Sequence, residues 1–207
     1  NTKNLIYVSI GTCCFWLSLY LYVPILPIHS TELGANLEVT GFIIASYALG
    51  QLLFRIPIGI LSDIFSRKIF TIIAFSLSSI GALTLGLSEN PNQLLIGRSI
   101  TGISAAGWVS LTVLFSTFFP EDKTQKSVTI LMIINTICVV IATFFGGIIA
   151  ENYSNSITFY ISFIIGIIGI LFLVISKEPI FEKSSKNYLL SVKNVIKNKT
   201  IIRISII

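Results

Sequence analysis

Six stretches of roughly 20 consecutive, mostly apolar residues follow one another along this chain, at 5–28, 39–60, 69–87, 93–118, 128–150 and 157–175. A helix that crosses the hydrocarbon of a bilayer needs about 20 such residues. The pattern predicts an all-α integral membrane protein with six transmembrane helices. A further apolar run opens at Thr200 and continues to Ile207, and reads as the start of a seventh. Composition points the same way: 54% of the 207 residues are apolar and 11% charged, with a mean hydropathy of +0.89. A soluble domain carries about 25% charged residues. One of this size could not hide so much apolar surface in a single core. A soluble enzyme, a disordered chain and a nucleic-acid-binding module are therefore excluded. The first run is too long for a cleaved signal peptide and lacks an A-x-A-like site. The chain opens without Met and closes inside an apolar run, which reads as a portion of a longer protein.

The formal charge of +5 would suit a nucleic acid, but its placement argues otherwise. Lys3 precedes the first run, Arg67 and Lys68 follow the second, Lys123 and Lys126 the fourth, and Lys177, Lys183, Lys186, Lys193, Lys197 and Lys199 the sixth. The connectors after runs one, three and five carry Glu32, Glu38, Glu89 and Glu151 and no Lys or Arg. Basic connectors stay in the cytoplasm, so the N-terminus is expected there, in a multi-pass protein of the cell membrane. The expected organisation is a six-helix domain over 1–176, a cytoplasmic connector over 177–199 and the start of helix seven over 200–207. In the connector, Tyr188, Val192, Val195 and Ile196 recur at helical spacing. They fit either an amphipathic helix on the membrane surface or a solvated basic linker.

Metal and cofactor chemistry find no support. Cys13, Cys14 and Cys138 lie inside apolar runs without metal-ligand spacing, and read as small buried hydrophobes. His29 falls in an expected loop and reads as solvated. Gly102-Ile-Ser104-Ala only faintly resembles an intramembrane serine nucleophile, and no run holds a histidine to activate it. The chain is not expected to be an enzyme.

Two basic residues lie inside the runs, where charge is expensive and usually functional. Arg98 opens Arg98-Ser-Ile-Thr-Gly102-Ile-Ser104-Ala-Ala-Gly107, whose small residues permit close helix contact. Arg98, Thr101, Ala105, Trp108 and Thr112 share a helical face. That face lines a wet cavity, or else Arg98 ties helix ends together through backbone carbonyls. Arg55, near the inner end of the second run, can snorkel to the interface. Just beyond it stands Gly59-Ile-Leu61-Ser62-Asp63-Ile-Phe-Ser66-Arg67-Lys68. An acid and two bases in one tight turn can make a charge lock between helices.

This last segment resembles the signature loop between helices two and three of the major facilitator superfamily, G-x-L-[SA]-D-x-x-G-R-[RK]. Gly59, Leu61, Ser62, Asp63, Arg67 and Lys68 match, while Ser66 replaces the second glycine. The stretch at Leu94, Arg98, Gly102, Ala105 and Ala106 is similar to the helix-four motif of the same superfamily, with Thr101 and Ser104 departing. The resemblance implies the N-terminal half of a twelve-helix transporter, built as a 3+3 inverted repeat, with a C-terminal six-helix half still to come. The drug–proton antiporter run of helix five, G-x-x-x-G-P-x-x-G-G, keeps its last two glycines as Gly146 and Gly147. Cys138, Ala142 and Thr143 replace the others, which weakens that reading. Sugar-porter signatures are absent.

A repeat is visible in the sequence itself. A shift of 88 residues sets Gly59-Ile-Leu-Ser-Asp63 on Gly147-Ile-Ile-Ala-Glu151, and Ile80-Gly81-x-Leu83-x-Leu85-x-x-Ser88 on Ile168-Gly169-x-Leu171-x-Leu173-x-x-Ser176. In such a fold the resemblance places helices one, two, four and five around the cavity. The candidates there are Trp16 and Tyr20 with Ser9 and Cys13, Tyr47 and Gln51 with Phe54, Arg98 and Trp108, and Asn135 with Cys138. Aromatic rings beside sparse polar groups suit an amphipathic organic substrate; equally, such rings pack between helices or form interfacial belts. Asp63, Arg67 and Lys68, with Gly59 and Arg55, form the expected conformational lock. The expected function is alternating-access transport of a small organic molecule across the lipid bilayer. Proton-coupled efflux is the finer expectation. The alternatives are uptake or uniport of a neutral or anionic metabolite, or a standalone six-span channel or scaffold.

Overall fold

The computed structural model describes residues 2–177. The connector beyond Lys177 and the expected helix at 200–207 lie outside the described residues. Helices follow in the order α1 (Thr2–Tyr20), α2 (Leu26–Glu32), α3 (Leu37–Ile64), α4 (Arg67–Gly86), α5 (Pro91–Ala106), α6 (Trp108–Ser116), α7 (Thr124–Asn152) and α8 (Asn155–Ile175), with a 3-10 turn at Glu121–Lys123 before α7. Five spans are long and apolar enough to cross a membrane: α3, α4, α5 with α6 as one span, α7 with its preceding turn, and α8.

The first run departs from a single helix over 5–28. Helix α1 stops at Tyr20 after 19 residues. The ring of Pro24 would clash with the Tyr20 carbonyl four residues back, and Pro24 has no N–H to offer it. The chain instead passes through tight turns, with Val23 N–H donating to Tyr20 O and Ile25 N–H to Tyr22 O. It re-enters a helix at Leu26 with a proline in its first turn, where the missing donor costs nothing. The fourth run is also interrupted, at Gly107, whose N–H bonds back three residues to Ser104 O.

Helix starts obey local chemistry. The side chains of Asn36, Ser66, Asn90 and Ser154 accept from the backbone N–H three residues on, and begin α3, α4, α5 and α8. Inside the bundle, hydroxyls donate back to carbonyls one turn earlier, as Thr12 does to Val8 and Ser162 to Thr158. Hydrocarbon offers them no other acceptor.

The packing maps onto itself when the first three spans are exchanged for the last three. Span α3 lies along α5 as α7 lies along α1; α4 packs on α5 as α8 packs on α1; α4 and α8 meet each other. The repeat read from sequence recurs in three dimensions. A Cβ added to Gly81 would lie 3.2 Å from Gly97 O, and one added to Gly169 would lie 3.3 Å from Gly11 O. Leu85 and Leu173 are both fully buried, and Ser88 and Ser176 are both buried. The protein is thus an all-α, membrane-type bundle with a 3+3 repeat.

Two crossings fix the arrangement. A Cβ on Gly102 would strike the Tyr47 backbone of α3, and one on Gly146 would strike Leu21 O, just past α1. Close approach of this kind replaces the hydrophobic drive that lipid removes. Gly41, also on α3, faces open space. Gly102→Ala should therefore lower stability by about 1–3 kcal/mol through overpacking, whereas Gly41→Ala should be neutral or slightly stabilising. Melting temperatures in detergent check this, and equal values for the two variants would contradict it.

Candidate functional site

Aromatic side chains from three spans converge inside the bundle. Trp16 of α1 lies with its ring 4.9 Å from that of Trp108 on α6 and 5.7 Å from that of Tyr20. Tyr20, Tyr47 and Trp108 are half-buried and pack on the core that holds Trp16, Leu131 and Cys138. The Arg98 guanidinium stands over the Tyr47 ring at 4.2 Å and over the Tyr22 ring at 5.9 Å. Arg98 is 6% exposed. It stands seven residues beyond Pro91, about 10 Å along the helix axis.

Nearly all buried polar side-chain atoms of the described residues have partners. The exceptions are Trp16 Nε1, Tyr22 Oη, His29 Nε2, Arg98 Nε, Arg98 Nη1 and Ser110 Oγ. Four of these six atoms belong to the arginine and to two aromatic residues of this centre. The magnitudes matter here. Two ring faces attract a guanidinium by roughly 0.5–2 kcal/mol each, while removing an ion from water costs several kcal/mol even after relaxation. A guanidinium cannot escape that cost by giving up its proton. Every Asp and Glu of the described residues sits in a connector or in a terminal turn of a helix, where Asp63 pairs with Arg67 and Glu32 with His29.

The structure brings together Arg98, Tyr47, Trp16, Tyr20 and Trp108 as the sequence suggested. Gln51, one turn beyond Tyr47, and Asn135 of α7 are half-buried and outside the ring contacts just described. The shared face drawn through Thr101 and Thr112 holds only in part. Thr101 turns to α4, where its methyl meets Gly81, and its hydroxyl donates to Arg98 O. The break at Gly107 then changes the register. Ser104 likewise serves packing, donating to Ala74 O across to α4 at 2.7 Å. Sequence reasoning missed Tyr22, which is fully buried against Phe159 and beside Arg98. It lies past the end of α1, so the helical spacing that groups Trp16 with Tyr20 does not reach it. The YLYVP run around Pro24 was the available signal.

One end of the bundle is basic. Arg67 Nε donates to Asp63 Oδ1 at 3.0 Å. Each ion sits at the wrong end of its own helix dipole: Asp63 in the last turn of α3, Arg67 at the first position of α4. Their pairing offsets that. Lys68 Nζ reaches the C-terminus of α8, donating to Val174 O at 3.0 Å and to Ser176 O. Lys177 N–H donates to Asn4 Oδ1, joining the starts and ends of the two outermost spans in sequence. Gly59 of α3 faces Val109 of α6 with room for a Cβ at ordinary contact distance. Arg55, two turns before Asp63, is exposed and stands apart from this group.

The opposite end is acidic. His29 is not solvated in a loop as expected: it is 7% exposed on α2, its ring 5.2 Å from Phe159. The Pro24 turn folds α2 back over the bundle and buries it. Glu32 accepts from Asn155 at 2.8 Å, and His29 Nδ1 lies 3.4 Å from the same carboxylate oxygen. The three cysteines are free, and Cys138 is buried.

Fold and site together define an all-α bundle of membrane-type helices built around a buried aromatic centre. Residues 8–205 match the family model of the Major Facilitator Superfamily, and the chain belongs to that family. It is 32% identical over 187 residues to an uncharacterised transporter of Buchnera aphidicola, covering 88% of this chain and 46% of that one. It is 29% identical over 176 residues to the quinolone resistance protein NorB of Staphylococcus aureus, covering 84% of this chain and 38% of that one. The auto-inhibited POT family peptide transporter shares the fold, with a TM-score of 0.75 at 14% identity over 89% of this chain and 39% of that one. The chain thus spans less than half the length of these proteins.

The Lys68 contact yields a direct expectation. A cation at a helix C-terminus contributes about 0.3–1 kcal/mol. Lys68→Gln should lower the melting temperature slightly, and Lys68→Arg should restore most of the loss; a Lys68→Gln variant as stable as the parent would contradict the contact.

Proposed function

We propose that residues 1–176 form the N-terminal half of a secondary transporter that moves a small organic molecule by alternating access. Residues 177–199 would connect it to a second six-helix half that begins at 200–207. The observation that carries this reading is the concentration of unpartnered buried donors, Arg98 with Tyr22 and Trp16, on one aromatic centre. Outside this centre, among the described residues, two buried side-chain atoms stand without a partner, His29 Nε2 and Ser110 Oγ. Rings plus a few aimed donors form the kind of wall a small amphipathic solute requires. Gln51 and Asn135, on the flanking spans, extend that wall, and no metal or cofactor enters the scheme.

The basic end faces the cytoplasm in this proposal, following the distribution of Lys and Arg. The Asp63–Arg67 pair, with Lys68 beside it and Arg55 at the interface, stabilises the state open to the opposite side. Asp63→Asn should cut the transport rate severalfold while membrane insertion stays unchanged and the melting temperature falls only slightly, because this partly exposed pair at the end of the bundle contributes on the order of 1 kcal/mol. Transport at the parental rate would remove the lock from the mechanism. Orientation is tested separately. With the native cysteines replaced, Glu89→Cys and Lys123→Cys should react with an impermeant maleimide from opposite sides of the membrane. Reaction from the same side would end the six-span reading.

Similarity to a quinolone resistance protein supports export, and the export reading takes protons as the coupling ion. The cation at the edge of the aromatic centre favours a second reading, uptake or uniport of a neutral or anionic metabolite. Vesicle transport by the full-length protein, with and without an imposed pH gradient, separates the two. Efflux that collapses with the gradient supports export; gradient-independent flux supports uniport.

A further inference from the structure

We propose that Arg98, held between the faces of Tyr47 and Tyr22, receives the anionic group of the transported molecule, so that the substrate is an organic monoanion with an apolar body. This assignment rests on the transporter reading above and names the substrate class of the same site.

The guanidinium is 6% exposed and its Nε and Nη1 have no hydrogen-bond partner among the described residues. Tyr22 Oη, buried beside it, has none either. Three donors of two neighbouring residues are therefore unused. Each is an O–H or N–H that a carboxylate can satisfy, and charge-assisted bonds of this kind are the strong ones. Ring faces stabilise the cation but accept no hydrogen bond of normal strength from those N–H groups. A neutral ligand could satisfy a donor and would still leave the charge uncompensated in a low-dielectric interior. A cationic ligand would add repulsion.

The body of the ligand follows from the neighbours. Tyr47, which stacks on Arg98, packs on the same core as Trp16, Tyr20 and Trp108. An anion bound at Arg98 thus has aromatic walls next to it, inward of the acidic helix ends. Arginine rather than lysine suits the place, since its plane can stack on both tyrosines while its edges still donate. Glu32 and Glu89, at the acidic end, give an anion no reason to remain at the mouth once it can reach a paired position deeper in the bundle.

The test uses full-length protein in detergent and three probes of one shape: cyclohexanecarboxylate, its neutral amide and cyclohexylmethylammonium. Trp16 and Trp108 both lie in the centre, so the part of the ligand-induced emission change that is lost in Trp16→Phe and Trp108→Phe reports occupancy there. The parent should bind the carboxylate at least about tenfold more tightly than the amide, as a charge-assisted bond implies, and the ammonium least. Arg98→Gln should lose that preference and keep the amide affinity. Arg98→Lys, which keeps the charge, should keep part of the preference and covers the case in which Arg98→Gln does not fold. Equal affinity for carboxylate and amide in the parent overturns the assignment. So does a preference that survives in Arg98→Gln, or one fully lost in Arg98→Lys with amide binding intact. If Arg98 is instead neutralised by an acidic side chain of the same protein, Arg98→Gln lowers the melting temperature without changing the carboxylate-to-amide ratio, which also overturns it. The transporter reading fails on a different result, same-side labelling of positions 89 and 123, which no probe affinity decides.

Discussion

A polar atom inside a bilayer has no water to turn to, and that single restriction shapes this bundle. Every span closes its own backbone bonds, and its serines and threonines return their hydroxyls to the preceding turn. Lipid is as apolar as leucine, so helices gain little from meeting through leucines. They gain by approaching closely. The bundle does so where glycine or serine removes the side chain from the contact: Gly102 against the Tyr47 backbone, Gly107 against Ala74, and Gly166 against Ser79 and Ser18. Ser104 adds a hydrogen bond to the same Ala74 contact. The same economy makes the few unsatisfied donors conspicuous.

The repeat explains why those contacts come in pairs. Under exchange of the two triplets, the α3–α5 crossing becomes the α7–α1 crossing, and each uses a glycine against backbone, Gly102 in one and Gly146 in the other. Spans α3 and α7 are correspondingly the least buried of the five apolar spans. The buried core is built mostly from α1, α4, α5 with α6, and α8, which carry most of the buried residues. The copies differ at the aromatic centre. Arg98 sits in α5, and α1, its partner under the exchange, carries no charge at its core and contributes Trp16 instead.

Much of this was legible in the sequence because the hydrocarbon imposes a length and a composition that no side-chain detail can hide. The six runs, the repeat register from Gly81 to Gly169 and the grouping of Asp63 with Arg67 all follow from residue type and spacing. What escaped depended on backbone geometry at a break. Tyr20 reads as mid-run until Pro24 ends the helix four residues ahead of itself. Tyr22 and His29 lie beyond that break, so neither the burial of His29 against Phe159 nor the place of Tyr22 beside Arg98 follows from periodicity. The turn at Gly107 similarly separates Thr112 from the face of Arg98. Helical arithmetic is sound within a helix and fails across an interruption.

The basic end combines two ties of unlike character. Lys68 meets the carbonyls that end α8, where helix dipole and hydrogen bonding both favour a cation, so this contact holds in any state that keeps α4 beside α8. Asp63 and Arg67 are different. Each is disfavoured by the terminus that carries it, and each is stabilised by the other in a partly solvated setting where ion pairs contribute little. Such a pair can trade partners at small cost, provided a new charge or helix end replaces the old one. In the proposed alternating-access cycle a fixed strut would stand beside an exchangeable pair: Lys68 would hold α4 against α8 while the Asp63–Arg67 pair changed neighbours. That division of labour follows from where α3, α4 and α8 end, since shifting Asp63 one turn back into α3 would bring it into the apolar span and make its release costly.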